Sequence, residues 1–185
     1  MRIITGSAKG CNLKTPKGMS TRPTSDRVKE SLFSILGSDA CGRVLDIFAG
    51  TGGLGLEALS RGADSCTFID KATTEIIADN AKHTRLADKC QILKGDVFAQ
   101  LRRLETTGQQ FDLVFCDPPY HQGLAHRALE QLENSQLLAP DAIVVMEYGG
   151  DEPELPATIG LQLVKKQQYG KTTQINFYHL PVEEG

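Results

Sequence analysis

The sequence of 185 residues predicts an α/β protein with a mostly parallel sheet that helices cover on both faces. Three observations predict this fold: short apolar runs alternate with amphipathic stretches between residues 44 and 147, glycines separate many of them, and two closely spaced strand patterns come last. Strands joined through helices run parallel because each crossover connection carries the chain back across the sheet. A ligand site in such a sheet is expected at the carboxyl ends of its strands.

The predicted elements follow one another along the chain. Residues 2–16 predict two short strands around a glycine-containing turn, and Thr24 or Ser25 is placed to cap a helix that Gly37 ends. The alternating region predicts strands at 44–48, 66–69, 91–93, 111–116 and 142–147, and helices near 53–61, 73–86, 97–104 and 123–133. Residues 161–168 and 173–180 predict a hairpin that adds one antiparallel strand. We interpret the basic stretch 165–173 as a solvated strand and turn.

The composition is that of an ordinary globular protein, with 40% hydrophobic and 23% charged residues. No apolar run reaches the roughly 20 residues that cross a bilayer, and the first residues lack the features of a signal peptide. We therefore expect a cytoplasmic protein. The five cysteines are odd in number without a Cys-x-x-Cys pair, and the four histidines are scattered, which argues against a disulfide framework or a metal site.

Charge is distributed unevenly along the chain. The first 30 residues hold seven basic and two acidic side chains, so they carry +5, and the net charge of −3 leaves −8 for the remainder. A basic end on an acidic body is typical of a protein that meets a polyanion at that end, although a solvated tail has the same composition. We expect residues 1–23 to form a short β-hairpin extension with its loop, followed by the main domain at 24–185. The candidate contacts to a polyanion are Arg2, Lys9, Lys14, Arg22 and Arg27.

Residues at the ends of three successive strands suit a nucleoside ligand. The first strand leads into the G-x-G-x-x-G spacing of residues 50–55, which lets backbone approach a ligand but also occurs in dinucleotide enzymes. Asp70 ends the second strand, where a carboxylate can accept from both ribose hydroxyls. Asp96 follows the third and can accept from an adenine amine, cap its helix, or do both. Asp46 disfavours a pyrophosphate but tolerates an ammonium group, so S-adenosylmethionine matches this set.

The fourth strand ends in Asp117-Pro118-Pro119-Tyr120. Prolines cannot donate to a strand ladder, and a plain turn more often uses Gly or Asn. The exocyclic amine of a nucleobase is a poor nucleophile because its lone pair is delocalised into the ring. The carboxylate of Asp117 and the carbonyl of Pro118 can accept its two N–H groups and turn the lone pair toward a methyl donor, while Tyr120 can stack on the flat target. The stretch therefore predicts methyl transfer to an amine.

These residues resemble the class I S-adenosylmethionine-dependent methyltransferases with a (D/N)PP(Y/F) motif. Gly6 to Pro16, Arg22 to Phe33, Asp46 to Gly55 and Asp117 to Tyr120 resemble, more closely, the RsmD family. That family methylates the exocyclic N2 of one guanine in bacterial small-subunit (16S) ribosomal RNA. The resemblance covers nearly the whole chain. It implies a Rossmann-like fold with a mostly parallel seven-stranded sheet, a C-terminal antiparallel hairpin and a small N-terminal β-hairpin.

The resemblance also implies roles for single residues. The catalytic set would be Asp117, Pro118, Pro119 and Tyr120. The cofactor contacts would be Asp46, Phe48, Ala49, Gly50, Thr51, Gly52, Asp70, Lys71, Asp96 and Val97. The N-terminal extension would bind RNA, although Cys11-Asn12 stands where family members often have further basic residues. We expect a monomer, without a metal, that acts on small-subunit rRNA in an assembled or assembling subunit.

Other functions share parts of this pattern. Amino methyltransferases of DNA adenine or cytosine, or of protein glutamine, have related motifs. DNA enzymes generally insert a target-recognition region, for which the gap at 149–159 is too short, and glutamine enzymes typically carry Asn in place of Asp117. A non-enzymatic RNA-binding assembly factor would keep the fold with degraded cofactor or catalytic positions, and none is degraded here. A dehydrogenase would leave the Asp-Pro-Pro-Tyr stretch without a role.

Overall fold

The computed structural model describes residues 1–18 and 25–184, and within them five α-helices flank one sheet of seven strands. The helices are α1 Asp26–Leu36, α2 Gly53–Ser60, α3 Thr74–His83, α4 Val97–Glu105 and α5 Leu124–Glu133. The strands are β1 Arg43–Ile47, β2 Ser65–Asp70, β3 Cys90–Lys94, β4 Phe111–Cys116, β5 Leu138–Gly149, β6 Gln162–Tyr169 and β7 Thr173–His179. The strands and helices predicted from residue 44 onward are all present, and only β5 begins much earlier than predicted.

Strand β5 starts early because it continues through Pro140 and Asp141. Proline has no N–H for the ladder, and Asp141 has a φ of +64°. A continuous strand is therefore not expected from the residue types at these two positions. The structure accommodates them with a register shift against β4 between Phe111 and Leu113.

The strands lie in the order β3-β2-β1-β4-β5-β7-β6. Strands β1 to β5 pair in parallel, and β7 inserts antiparallel between β5 and the edge strand β6. The order reverses between β1 and β4, where Ile47 pairs with Cys116, so the loops after these two strands begin side by side. This arrangement confirms the predicted Rossmann-like fold, and in sheets of this kind ligands bind at the reversal.

Two apolar layers cover the faces of the sheet. Helices α1, α2 and α3 pack on one face, where the rings of Phe33 and Phe115 lie 5.6 Å apart. Helices α4 and α5 pack on the other face, with Leu101 and Leu129 fully buried. Strands buried on both faces explain why the sequence shows continuous apolar runs instead of alternation.

The N-terminal segment, residues 1–18, packs onto α1 and α2. In place of two full strands, it forms one antiparallel bridge between Arg2 and Asn12, and its side chains Ile3, Ala8 and Leu13 are buried. The segment is therefore anchored by apolar burial in the same layer as α1 and α2.

A buried ion pair fixes this anchorage. Lys29 of α1 and Glu57 of α2 have fully buried side chains whose charged atoms lie 3.3 Å apart. Glu57 also accepts from the backbone N of Ile4 at 2.9 Å and of Thr5 at 3.1 Å, and Lys29 donates to the carbonyl of Arg2. Because both charges have partners, their burial is tolerated. Removing Glu57 would deprive buried Lys29 of its ion-pair partner, whereas Glu57 also pairs with Arg61 at 3.0 Å.

Candidate active site at the carboxyl ends of the strands

The loop after β1, residues 48–52, is called the glycine loop below. Phe48, Gly50 and Gly52 have positive φ angles of 56°, 59° and 82°. This conformation is costly for phenylalanine, and the Phe48 ring packs edge-on against Phe98 with centroids 6.0 Å apart. Backbone strain that packing enforces is typical of ligand sites.

Gly50 and Gly55 are glycines for different reasons. A Cβ atom on Gly55 would lie 2.4 Å from the ring of Phe68 and 2.6 Å from the Sγ of Cys66, so the absence of a side chain lets α2 approach β2. A Cβ atom on Gly50 would meet nothing within 4 Å, and there the positive φ is what favours glycine. The open space beside Gly50 lets a ligand approach the main chain.

Asp70, at the end of β2, joins the glycine loop to α3. Its Oδ2 accepts from the backbone N of Gly50 at 3.0 Å, and its Oδ1 accepts from the N of Ala72 at 2.8 Å and of Thr73 at 3.1 Å. A carboxylate offers about four acceptor positions, so room remains for a ligand hydroxyl. Lys71, the adjacent predicted contact, is exposed.

Asp96 caps α4, which is one of the two roles predicted for it. Its Oδ1 accepts from the N of Ala99 at 2.9 Å, the residue is exposed, and the following Val97 is buried in the apolar layer. The N of Gly95 donates to the carbonyl of Asp70 at 3.1 Å, which holds this turn beside the end of β2.

Asp46 is buried against the first turn of α2. It is 1% exposed, and its Oδ2 accepts from the N of Gly55 at 2.9 Å. Burial raises the pKa of this carboxyl to about 8, opposed by the Gly55 hydrogen bond and assisted by the charge of Asp70. The raised pKa favours the protonated form, and the carboxyl supports the glycine loop through its hydrogen bond to Gly55.

Asn80 of α3 was missed by the sequence analysis, although it links two parts of the site. Its Nδ2 donates to the carbonyl of Thr51 at 2.9 Å and to the carbonyl of Lys14 at 3.1 Å. The N of Lys14 donates back to the Asn80 Oδ1 at 2.7 Å. This buried amide thus fixes the glycine loop and the N-terminal segment to one helix, and a lone Asn in a helix gives no sequence signal of it.

Residues 117–120, called the proline loop below, follow β4 next to the glycine loop. Asp117 is half-buried, Pro118 is buried and Pro119 is exposed. Since Asp117 follows Cys116, which pairs with Ile47, its main chain begins beside that of Phe48. The predicted catalytic and cofactor residues therefore lie at neighbouring strand ends.

Tyr120 is held by two residues that the sequence analysis did not identify. Its hydroxyl donates to the Oε1 of Glu147 at 2.5 Å and lies 3.3 Å from the Oγ1 of Thr173. Glu147 is 7% exposed near the end of β5, and Thr173 begins β7. Burial, followed by the negative charge of Glu147, raises the pKa of the Tyr120 hydroxyl well above its ordinary value, so the hydroxyl remains a donor at physiological pH.

The predicted RNA contacts fall into two groups on the structure. Arg2 pairs with Asp26 at 3.0 Å and Lys14 pairs with Asp79 at 3.1 Å, all on exposed side chains. Lys9 and Arg27 are exposed, and among the described residues neither makes an ion pair. Exposed ion pairs contribute about 0–1 kcal/mol, so Arg2 and Lys14 can exchange their partners for phosphates at low cost. Arg22 lies outside the described residues.

The described parts of the chain contain neither a cluster of three or more His, Cys, Asp or Glu side chains suited to a metal nor a helix long and apolar enough to cross a membrane. Cys66 and Cys116 are buried thiols, and burial raises the pKa of both.

The comparison with known families matches residues 1–179 to the family described as conserved hypothetical protein 95. The ribosomal RNA small subunit methyltransferase D of Haemophilus influenzae is 38% identical to this chain, with 97% of this chain and 92% of that protein covered.

Solved structures agree with this match. The Escherichia coli protein yhhF superimposes with a TM-score of 0.83 at 32% identity, with 99% of both chains covered. An RNA methyltransferase of Salinibacter ruber, determined in complex with S-adenosyl-L-homocysteine, has a TM-score of 0.63 at 16% identity, with 89% of this chain and 97% of that one covered, and this likeness shows the shared fold alone.

Proposed function

This chain belongs to the RsmD family, and on that premise we propose that it transfers a methyl group from S-adenosylmethionine to the exocyclic N2 amine of a guanine in small-subunit (16S) rRNA. The observation that carries the proposal is the juxtaposition of the glycine loop and the proline loop where the strand order reverses. Cofactor and target bind at such a reversal in sheets of this kind.

The residues that end β1, β2 and β3 would hold the cofactor. The open main chain at Gly50 suits its methionine part, Asp70 retains an acceptor for a ribose hydroxyl, and Asp96 can accept from the adenine amine. When bound, the cofactor supplies an electrophilic methyl group on a sulfonium. Asp46 would support the glycine loop from within the core through its hydrogen bond to the N of Gly55.

The proline loop would position the target amine. Asp117 and the carbonyl of Pro118 accept one N–H each, which localises the nitrogen lone pair, and Tyr120 stacks on the guanine ring. Because Glu147 and Thr173 hold the Tyr120 hydroxyl, the ring is oriented before the target arrives. After transfer, the surplus proton leaves to water or to Asp117.

The N-terminal extension, residues 1–23, would add an RNA-binding platform to the methyltransferase domain at 24–185. Its described part is fixed to α1 and α2 by the buried Lys29–Glu57 pair, so exposed Lys9 would be presented from a rigid base. We propose that the protein acts as a cytoplasmic monomer on an assembled or assembling subunit, since its body is acidic and the basic platform is small.

The test uses S-adenosylmethionine with a labelled methyl group. Small ribosomal subunits from cells that lack this enzyme, naked 16S rRNA and duplex DNA are incubated in parallel, and the products are digested to nucleosides. We expect label in N2-methylguanosine, with more label from subunits than from naked rRNA. Label in methyladenosine or methylcytidine would reassign the target, and label in none of the three substrates would contradict an activity on nucleic acid.

A further inference from the structure

A groove between α1 and the β6–β7 turn lies next to the proline loop. It has a volume of about 440 Å³, and its described lining is Ser25, Arg27, Val28, Ser31, Gln167, Gln168, Tyr169 and Gly170. This lining includes part of the stretch 165–173 that the sequence analysis interpreted as solvated. We propose that the groove binds the RNA strand beside the target guanine, an inference that rests on the proposed function.

The groove is connected to Tyr120 through the sheet. Tyr169 of β6 lies directly opposite Thr173 of β7, and the hydroxyl of Thr173 lies 3.3 Å from that of Tyr120. Opposed residues of an antiparallel pair are about 5 Å apart and point to the same face. The Tyr169 end of the groove is therefore close enough to the proline loop to receive a neighbouring nucleotide.

Of the lining residues on β6, Gln167 and Tyr169 have side chains on the α1 face of the sheet, because they lie opposite Ile175 and Thr173, whereas the side chain of Gln168 alternates to the other face. Tyr169 packs against the apolar layer of α1, and its hydroxyl lies 2.7 Å from the Oγ of Ser31. Thr173 is two residues from Ile175, which is buried in the same layer. A strand of RNA that enters along α1 thus reaches Tyr120 without crossing the sheet.

The chemistry of the lining suits single-stranded RNA. Of the described lining residues, Arg27 alone is charged, and an exposed guanidinium binds phosphate in a bidentate manner. The amide of Gln167 can both donate to and accept from base edges and 2′-hydroxyls. Tyr169 contributes a partly buried aromatic ring of the kind on which unstacked bases pack.

Two glutamines of β6 provide a matched pair of variants. Gln167→Glu places a negative charge in the groove, and Gln162→Glu makes the same change at the exposed opposite end of the strand. Affinity is measured for small ribosomal subunits purified from cells lacking the enzyme, over a range of salt concentrations. We expect Gln167→Glu to weaken binding about five-fold at low salt through repulsion of phosphate, and less at high salt. Gln162→Glu should change binding less than two-fold.

Two arginines test the phosphate contact in the same assay. Arg27→Gln should reduce the slope of log K against log salt by about 0.7, the value for one phosphate contact on a single strand. Arg102→Gln, on the exposed face of α4, should leave the slope unchanged. Calorimetric binding of S-adenosylmethionine should be the same in all four variants and the wild type, which excludes a folding defect.

The outcomes separate this inference from the proposed function. If wild-type protein binds and methylates the subunits but Gln167→Glu equals Gln162→Glu and Arg27→Gln keeps the wild-type slope, the groove assignment is wrong and the function stands. If the wild-type protein neither binds nor methylates subunits, both are overturned. A selective loss in Gln167→Glu and Arg27→Gln supports the groove.

Discussion

The glycine loop and the proline loop lie side by side, yet they are held by different kinds of contact. Around the glycine loop the partners are main-chain groups: Asp70 alone accepts from three backbone N–H groups. In the proline loop the contact that fixes Tyr120 joins side chains, since Glu147 and Thr173 hold its hydroxyl. Changes near the glycine loop should therefore affect folding and cofactor binding together, whereas changes in the proline loop should affect transfer alone.

The largest effect on activity is expected from Asp117→Ala. Loss of the acceptor for the target amine should lower the transfer rate about 10²–10³-fold, the range for one preorganised electrostatic contact. Rates are measured under single-turnover conditions, and cofactor affinity by calorimetry should stay within two-fold of wild type. Asp88→Ala, at an exposed position before β3, serves as the control. A matching loss of cofactor affinity would remove the distinction between the two loops.

Gly55→Ala should lower stability and cofactor affinity, in contrast to Asp117→Ala, which should lower the transfer rate alone. Its Cβ atom would overlap the ring of Phe68 and the sulfur of Cys66, so α2 must shift and carry the glycine loop with it. We expect a loss of about 1–3 kcal/mol in the free energy of unfolding, measured by urea denaturation, together with weaker cofactor binding. Gly160→Ala, where a Cβ atom meets nothing within 4 Å, should be neutral.

Tyr120→Phe tests whether the contacts of the Tyr120 hydroxyl orient its ring for methyl transfer. Without its hydroxyl, the ring loses the partner that orients it, so the transfer rate should fall about ten-fold, equivalent to about 1.4 kcal/mol. Glu147→Gln keeps an acceptor and should retain most activity. Tyr148→Phe, which removes a hydroxyl 3.5 Å from Asn176 in the neighbouring part of the sheet, is the control. A double variant at 120 and 147 that shows simply additive losses would argue against their coupling.

Asp46 is tested through the pH dependence of the free energy of unfolding. Its pKa is about 8 in the folded state and near 3.8 when unfolded, so the folded protein retains a proton that the unfolded chain releases between these values. This contribution to stability is complete below about pH 4 and is lost as the pH rises to 8, by at most about 1.4 kcal/mol per unit.

The variant Asp46→Asn should remove this slope, because an amide does not titrate in this range. Unfolding free energies of both proteins are compared from pH 5 to 8, with exposed Asp88→Asn as the control. Parallel curves for wild type and Asp46→Asn would mean that Asp46 is ionised in the folded protein.

Much of the fold could be predicted because its signals are local. Ser25 caps α1 through its side chain, Asp96 caps α4, and Gly37 ends α1, as the residue types indicated. The insertion of β7 between β5 and β6 was not predicted, although its buried Ile175 and Phe177 contrast with the lysines and glutamines of the edge strand.

The sequence predicted the site residues at the strand ends, but not the residues that hold them in place. Glu147, Thr173 and Asn80 contact site residues that lie 27, 53 and 29 positions away in sequence, and no local pattern reports such contacts. The roles of the predicted residues in binding and transfer stay predictions until they are tested as above.

The sequence by itself determined where helices and strands lie and which side chains follow each strand, because periodicity, caps and turn residues act over a few positions. Only the tertiary structure decided that Asp46 is buried and its pKa raised, that Lys29 and Glu57 form a buried pair, and that Glu147 reaches Tyr120. Burial and protonation depend on which distant elements pack together, and that information is spread over the whole chain.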